Sequence, residues 1–437
     1  MAFPHALKHG ATRRGAVVFH GWWIVLVAFL CFAVNTGLIF YAWSIFLVPL
    51  AAAFGGHARV AGAYSTMQGV SALAGLWVGR IVDRRGARPV EIVGTLLLVA
   101  GFLGMSQVRT LPQLYCCMAG PIAVGSTCIA GLPNNAAVAR WFVRKRGRAL
   151  GISTAGISAG GIVFAPLAEL LTVRVGWRAA YAVLGGLVGV LLLPPILAFM
   201  RRDPADLGLL PDGEEPAGGP EDAAARTLLA REIERSVHPA AAVRQASFWL
   251  IAAAFALTMA GLSSVLLYQV PLLIDRGMAP ERASLVLGAT AAMGVVGKLG
   301  FGALLDRFDQ RRVAAVCFCL QAAGVLLLWQ ARSVAALACY VVLYGYAMGG
   351  NATLLASLIG EVFGRLHYGT ISGRLTPFVV VAQGLAVPAT GWLRDRTGGY
   401  GPALALVVVA ALVAAAVVLQ VRLPPRRALH GPRPSHT

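Results

Sequence analysis

The feature that most constrains this chain is a succession of apolar runs about 20 residues long, without period-two alternation. They fall at roughly 22–48, 60–80, 90–108, 113–139, 149–172 and 178–200. After a polar gap they resume at 247–274, 283–305, 313–330, 334–361, 368–393 and 402–421. Inside a bilayer each segment must satisfy its own backbone hydrogen bonds, which leaves helices or closed barrels. Runs of this length and pattern predict helices. The composition points the same way: 58% of the residues are hydrophobic and 13% charged, where a soluble domain carries about 25% charged. One soluble core of this size could not hide so much apolar surface.

The net charge of +19 raises the question of nucleic acid, and its placement answers it. Sorted by the side each loop must face, 26 of the 37 Lys and Arg residues fall on one side and nine on the other. Lys298 and Arg374 fall inside spans. By the positive-inside rule the first side is cytoplasmic and holds both termini. The basicity is thus an expression of topology, and no nucleic-acid partner is expected. All seven cysteines lie in apolar runs, so neither a disulfide framework nor a metal site is expected. Lys8, Arg13 and Arg14 precede an apolar run too long for a signal peptide, so this run reads as a retained first span. Arginine outnumbers lysine 34 to 3 and alanine abounds, which suggests a GC-rich bacterial genome and hence a bacterial inner membrane.

An internal repeat then divides the chain. GRIVDRRGARPV begins at Gly79, after the second run, and GALLDRFDQRRV begins at Gly302, after the eighth. Gly79 and Gly302, Asp83 and Asp306, Arg84 and Arg307, and Arg88 and Arg311 match at one offset of 223 residues. A duplicated six-helix unit follows, a common transporter architecture. The expected organisation is a tail at 1–20, a six-helix bundle at 21–200, a linker at 201–246, a second bundle at 247–421 and a tail at 422–437. The linker, RRDPADLGLLPDGEEPAGGPEDAAA and onward, reads as a solvated tether. Its segment TLLAREIERSV has the spacing of a short amphipathic helix at the membrane face.

The paired G-x-x-x-D-R loops resemble the signature of the major facilitator superfamily, in both order and location. Further stretches resemble its bacterial monocarboxylate-transporter-like and oxalate/formate-exchanger branch: GWWIVLVAFL, YAWSIFLVPLAAAFG, RWFVRKRGRALGI, VGWRAAY, RRDPADLGLLPDG and FGRLHYGTISG. The resemblance implies an all-α membrane protein, with twelve transmembrane helices in two pseudo-symmetric six-helix bundles. It also implies that the loop motifs latch the halves together on the cytoplasmic side. Asp83, Arg84, Arg88, Asp306, Arg307 and Arg311 are then gate residues; the plainer reading is a tight turn anchored by Asp83 and Asp306. The second motif copy departs from the pattern, with Asp309 where the first has Gly86.

Charge buried in a membrane marks function, because it costs about 2.5 kcal/mol or more for a lysine. Lys298 lies roughly 10 Å inside the cytoplasmic edge of span eight, with no acid nearby on the same helix. The transporters this chain resembles place a carboxylate-binding cation four positions before the motif glycine, and Lys298 holds that position. Snorkelling to the cytoplasm is the plainer alternative. Arg374, at a similar depth on span eleven, has three readings: substrate contact, a pair with Asp83, or a cap on helix carbonyls. The oxalate exchangers place their second cation a turn deeper, where this chain has Phe378. Animal monocarboxylate carriers have a lysine near Tyr41 and an acid near Gly294, and this chain has neither.

Glu169 reads as the acid well inside a span, and so as a proton-coupling candidate; a pair with Arg174 or Arg178 is its structural alternative. Asn35, Tyr41 and Trp43, Tyr268 and Gln269, and Tyr344 and Asn351 are polar groups able to complete a cavity for a small carboxylate. The function expected is a secondary transporter that moves a small organic anion, most simply a monocarboxylate, by alternating access. Its coupling partner is a proton or an exchanged anion, and it works as a monomer in the lipid bilayer, without cofactor or catalytic centre. The rivals are a drug or metabolite exporter, which would need an interior acid, and a transporter-like sensor that signals without flux.

Overall fold

The structure is a computed structural model that describes residues 19–54, 57–213, 236–331 and 333–423. Twelve helical rods account for nearly all of them. α1 comprises His20–Asn35, a π-helical stretch Thr36–Tyr41 and Ala42–Phe54. α2 is His57–Arg85 and α3 is Ala87–Gln107. α4 comprises Leu111–Cys117, the π-helical Met118–Ile122, Ala123–Ile129 and Gly131–Trp141. The continuous stretch Arg146–Phe199 is two rods, because Gly176 turns the chain at φ 78°, ψ 158°; they are α5 (146–175) and α6 (177–199). The second half repeats the pattern with α7 Ala246–Asp275, α8 Pro280–Leu305, α9 Gln310–Gln330, α10 Val334–Phe363, α11 Tyr368–Thr397 and α12 Gly401–Leu419.

Among the described residues, ten helices are long and apolar enough to cross a membrane. Dividing Arg146–Phe199 at Gly176 adds one span. The twelfth is α2, whose Arg59, Arg80, Asp83, Arg84 and Arg85 dilute its apolar character without shortening it. Large apolar side chains such as Leu73, Trp77, Val190 and Leu385 stand exposed along the outside of the rods, as lipid-facing surfaces require. Inside the first half, α1, α3, α4, α5 and α6 close around Ile24, Phe102, Trp141, Leu184 and Leu192. In the second half, Phe255, Phe301, Phe318, Leu358 and Phe363 fill the equivalent space. All seven cysteines are free thiols.

The break in α4 has a local cause. Pro133 has no N–H to give to the Ile129 carbonyl four residues back, and Ala130 swings out to ψ −166°. The Asn134 amide takes over, donating to the carbonyls of both Ile129 and Ala130 at 2.8 Å.

At its two described ends, 201–213 and 236–246, the linker is docked and not a solvated tether. Residues 201–213 dock against the α4–α5 loop. There Asp212, at φ 65°, accepts the backbone N–H groups of Val143, Arg144 and Lys145 at 3.0, 2.8 and 2.9 Å. The Trp141 indole donates to the Arg201 carbonyl, and Leu210 is buried. At the other end Val237 donates to the Phe363 carbonyl at 2.9 Å, and the short helix Pro239–Arg244 follows. Each end therefore straps the equivalent loop of its own half. A Pro-, Gly- and acid-rich composition conceals this, because one aspartate suffices to gather backbone donors that a loop leaves unpaired. Most of the amphipathic segment TLLAREIERSV lies outside the described residues.

Candidate functional site

On the basic face the halves meet at two pseudo-symmetric helix crossings, α2 on α11 and α8 on α5. Each is built from the loop motif. Asp83, at the end of α2, accepts the backbone N–H of Gly369 at 2.9 Å and of Thr370 at 2.7 Å. Asp306, at the end of α8, accepts those of Gly147 at 2.6 Å and Arg148 at 3.1 Å. In both cases a carboxylate takes up the unpaired N–H groups at the positive end of the facing helix.

The motif glycines explain how the backbones come so close. A Cβ on Gly79 would lie 2.2 Å from the Gly369 carbonyl oxygen, and one on Gly302 would lie 2.7 Å from that of Gly147. Small residues at a helix interface permit this approach in a membrane.

The arginines of the motif do other work. Arg88 donates to the Leu197 carbonyl at the end of α6 at 2.8 Å, and Arg311 to the Val421 carbonyl beyond α12 at 3.1 Å. Each thus binds the last helix of its own half. Arg84 and Arg307 are exposed.

Where the motif has Gly79 and Gly302, four residues earlier stand Gly75 and Lys298. The α8–α5 crossing therefore carries a cation where the α2–α11 crossing has none. Lys298 is only 5% exposed. Its Nζ donates to Ser158 Oγ of α5 at 2.9 Å, and among the described residues no carboxylate comes within 4.0 Å of it. The ammonium has three N–H donors, and Ser158 takes one of them. Just across the same inter-half seam, Thr154 of α5 and Thr353 of α10 share a hydrogen bond of 2.9 Å.

Arg374 is not brought to Lys298. Its guanidinium donates to the Pro239 carbonyl of the linker helix at 2.8 Å, which is the carbonyl-capping reading. Gln269 and Asn351 are buried, each paired through its oxygen within the second half, to Tyr340 and Gln321 respectively. Their amide nitrogens, and the Tyr344 hydroxyl, have no partner. Tyr268 donates to the Val387 carbonyl of α11 at 3.1 Å, and Trp43 stacks on Tyr64. In the first half Asn35 accepts from Ser126 of α4 at 2.7 Å, and Tyr41 lies where a Cβ on Gly161 would stand. Glu169 is exposed near the outer end of α5. Arg178, one of the arginines read as its partner, donates to the Val108 carbonyl instead.

The sequence reading treated Glu169 as the acid inside a span, and this needs correction. Glu91, on α3, is fully buried, and neither of its carboxyl oxygens has a hydrogen-bond partner. One turn along α3, a Cβ on Gly94 would meet Cys128 and Ile129 of α4, just before the break. The missed signal was the helix start: α3 begins at Ala87, directly after Gly86 at φ 83°, so Glu91 lies a full turn inside.

Two six-helix halves, joined by mirrored latches over a buried cation at their seam, define a secondary transporter fold. The family model of the Major Facilitator Superfamily matches residues 25–300 and 250–436, and the chain belongs to that superfamily. Among similar proteins, Monocarboxylate transporter 12-B of Danio rerio is 26% identical over 397 residues, covering 87% of this chain and 83% of its own. Monocarboxylate transporter 13 of Bos taurus is 26% identical over 391 residues, covering 87% and 84%. In fold, the proton:xylose symporter XylE superposes with a TM-score of 0.70 at 15% identity, over 92% of this chain and 96% of its own.

Proposed function

We propose that this transporter moves a small organic anion, most simply a monocarboxylate, coupled to a proton or to a second anion. The observation that carries the reading is Lys298. A buried lysine with one neutral partner, at the seam between the halves, is a costly arrangement that an incoming carboxylate relieves. The monocarboxylate transporters among its relatives support the same substrate class. The basic face is cytoplasmic on this reading, and the membrane is a bacterial inner membrane. In this structure both latches on that face are made, so substrate reaches Lys298 from the opposite side. Access then alternates as the latches release.

An interior acid would favour the rival reading of a drug exporter, and Glu91 is one. The helices that α3 mainly packs against belong to the first half, however, so Glu91 lies within a bundle and not at the seam where a cationic substrate would bind.

The test is uptake of radiolabelled lactate, pyruvate, formate and oxalate into proteoliposomes. At least one should accumulate, and Lys298→Ala should abolish that accumulation. Unchanged transport of every accepted anion by Lys298→Ala would overturn the site.

A further inference from the structure

We propose that Glu91 is a proton-binding site that controls the latch of the first half through the break in α4. The proposal deepens the proton-coupling part of the reading above and rests on it.

The geometry begins with a carboxyl group that has nothing around it to support a charge. Both oxygens are sealed from solvent and unpaired. Of the titratable or charged groups near this end of the half, Asp83, Arg84 and Arg85 lie on α2, Cys128 and Arg140 on α4, Arg88 on α3 itself, and Arg201 and Arg202 beyond α6. None of these pairs with the carboxyl. An ionised carboxylate cannot persist in such a site, so the packed arrangement is that of the neutral acid. The repeat makes the point independently: at the same offset of 223 residues, α9 has Ala314, also fully buried. The second half completes this packing with a methyl group, so the fold itself has no need of an acid there.

The neighbourhood of Glu91 links it to the latch. One turn along α3 from Glu91, Gly94 packs on Cys128 and Ile129 of α4, and there Asn134 holds the break closed through the Ile129 and Ala130 carbonyls. Beyond the break, Gly131–Trp141 carries Arg140, which donates to the Asp83 carbonyl at 3.3 Å and pairs with Asp203 of the linker strap at 3.8 Å. The Arg140 carbonyl in turn accepts from Arg365 of the second half at 2.9 Å. An ionised Glu91 needs water or a donor, and the element that can admit one is this hinged end of α4. When that segment moves, the contacts around Asp83 and the bridge to Arg365 move with it.

The sign follows. The closed state holds the proton and the open state releases it, so acid favours closure and rising pH favours opening. One linked proton shifts the equilibrium by at most about tenfold per pH unit.

The test uses the full chain in lipid nanodiscs without any substrate, so it stands or falls separately from the carboxylate reading. Spin labels at the exposed positions Arg84 and Leu366 report the distance across the latch. The exposed or half-exposed Cys116, Cys117, Cys319 and Cys339 are replaced, and buried Cys31, Cys128 and Cys317 are kept. Between about pH 5 and about pH 8, the wild type should gain a long-distance population several-fold. Glu91→Gln, which mimics the neutral acid, should keep the short distance throughout. Glu91→Leu repeats the test if the glutamine variant does not assemble. His238 and His367, with rings 5.6 Å apart beside the Asp83 latch, remain in every variant. A pH response that survives in Glu91→Gln and Glu91→Leu, or a wild type that does not respond, overturns the proposal.

Discussion

The two halves are built on one repeat and buried with opposite chemistry. In the first, α3 buries an unpaired acid, Glu91, where the second has Ala314, and α2 has Gly75 where the second buries a cation, Lys298. The latches that flank these positions are nearly the same: an aspartate on two helix N–H groups and a glycine against a carbonyl. Duplication therefore supplied the mechanical parts twice, whereas each charged group was added once. A shared feature of this molecule reads as gate, and an unshared one as chemistry.

The largest expected effect tests the unshared cation. Lys298→Ala should lower the kcat/KM of carboxylate uptake roughly 100-fold, the size of a lost charged hydrogen bond. Lys298→Arg should recover part of it, because it restores charge in a different shape. Neither variant should lower the melting temperature in detergent, since the residue removed is a buried charge with one neutral partner. A destabilised Lys298→Ala with normal uptake would reduce the cation to a packing element and erase the contrast.

The shared glycines come next. A Cβ at Gly79 meets a backbone oxygen at 2.2 Å and one at Gly302 at 2.7 Å, so the backbones must part in both. Gly79→Ala should open its crossing by about 1–3 kcal/mol, the usual range for overpacking, and Gly302→Ala by less. Cysteine cross-linking across α2–α11 and α8–α5 would measure both. The aspartates should follow, with Asp83→Asn and Asp306→Asn each weakening its latch by about 1 kcal/mol, roughly fivefold in the closed-to-open ratio. Equal effects would show that the latches share the closing load; a marked difference would place it on one crossing.

The helices, the repeat and the halves were legible because apolar length and a 223-residue offset are properties of sequence alone. Lys298 was legible as well, since a lysine inside an apolar run has few structural excuses. Glu91 was not, because the polar stretch RRGARPV before it set the expected span start at residue 90, and the helix starts at Ala87. Three residues turned a boundary acid into a buried one. Arg374 shows the converse. Its depth suited a substrate anion, yet its partner is a carbonyl of the linker, and the docking of a Pro- and Gly-rich segment has no periodicity to read. The same limit hid the strap formed by Asp212.

The smallest expected effect concerns the one signature position at which the motif copies differ, Gly86 against Asp309. Gly86 turns the chain at φ 83°, ψ 172°, a conformation open to glycine almost alone, so Gly86→Ala should cost about 1–3 kcal/mol of strain. Asp309 sits at φ −62° instead and starts α9 as an N-cap. Its oxygens accept the N–H groups of Arg311 at 2.9 Å and Arg312 at 3.4 Å, and the Arg311 guanidinium at 3.0 Å. Asp309→Ala should cost about 1 kcal/mol, the usual loss of a cap. The two costs should also differ in pH dependence. Partial burial pushes the Asp309 carboxyl up, but the Arg311 hydrogen bond and charge outweigh it and hold the group below its usual range. A carboxyl lowered by folding stabilises above its unfolded value and ceases to do so as the pH falls through it. The gap in melting temperature between wild type and Asp309→Ala should therefore narrow from about pH 6 to about pH 3, while that for Gly86→Ala stays constant. A gap for Asp309→Ala that ignores pH would mean that the second copy, like the first, holds its turn by backbone shape and not by charge.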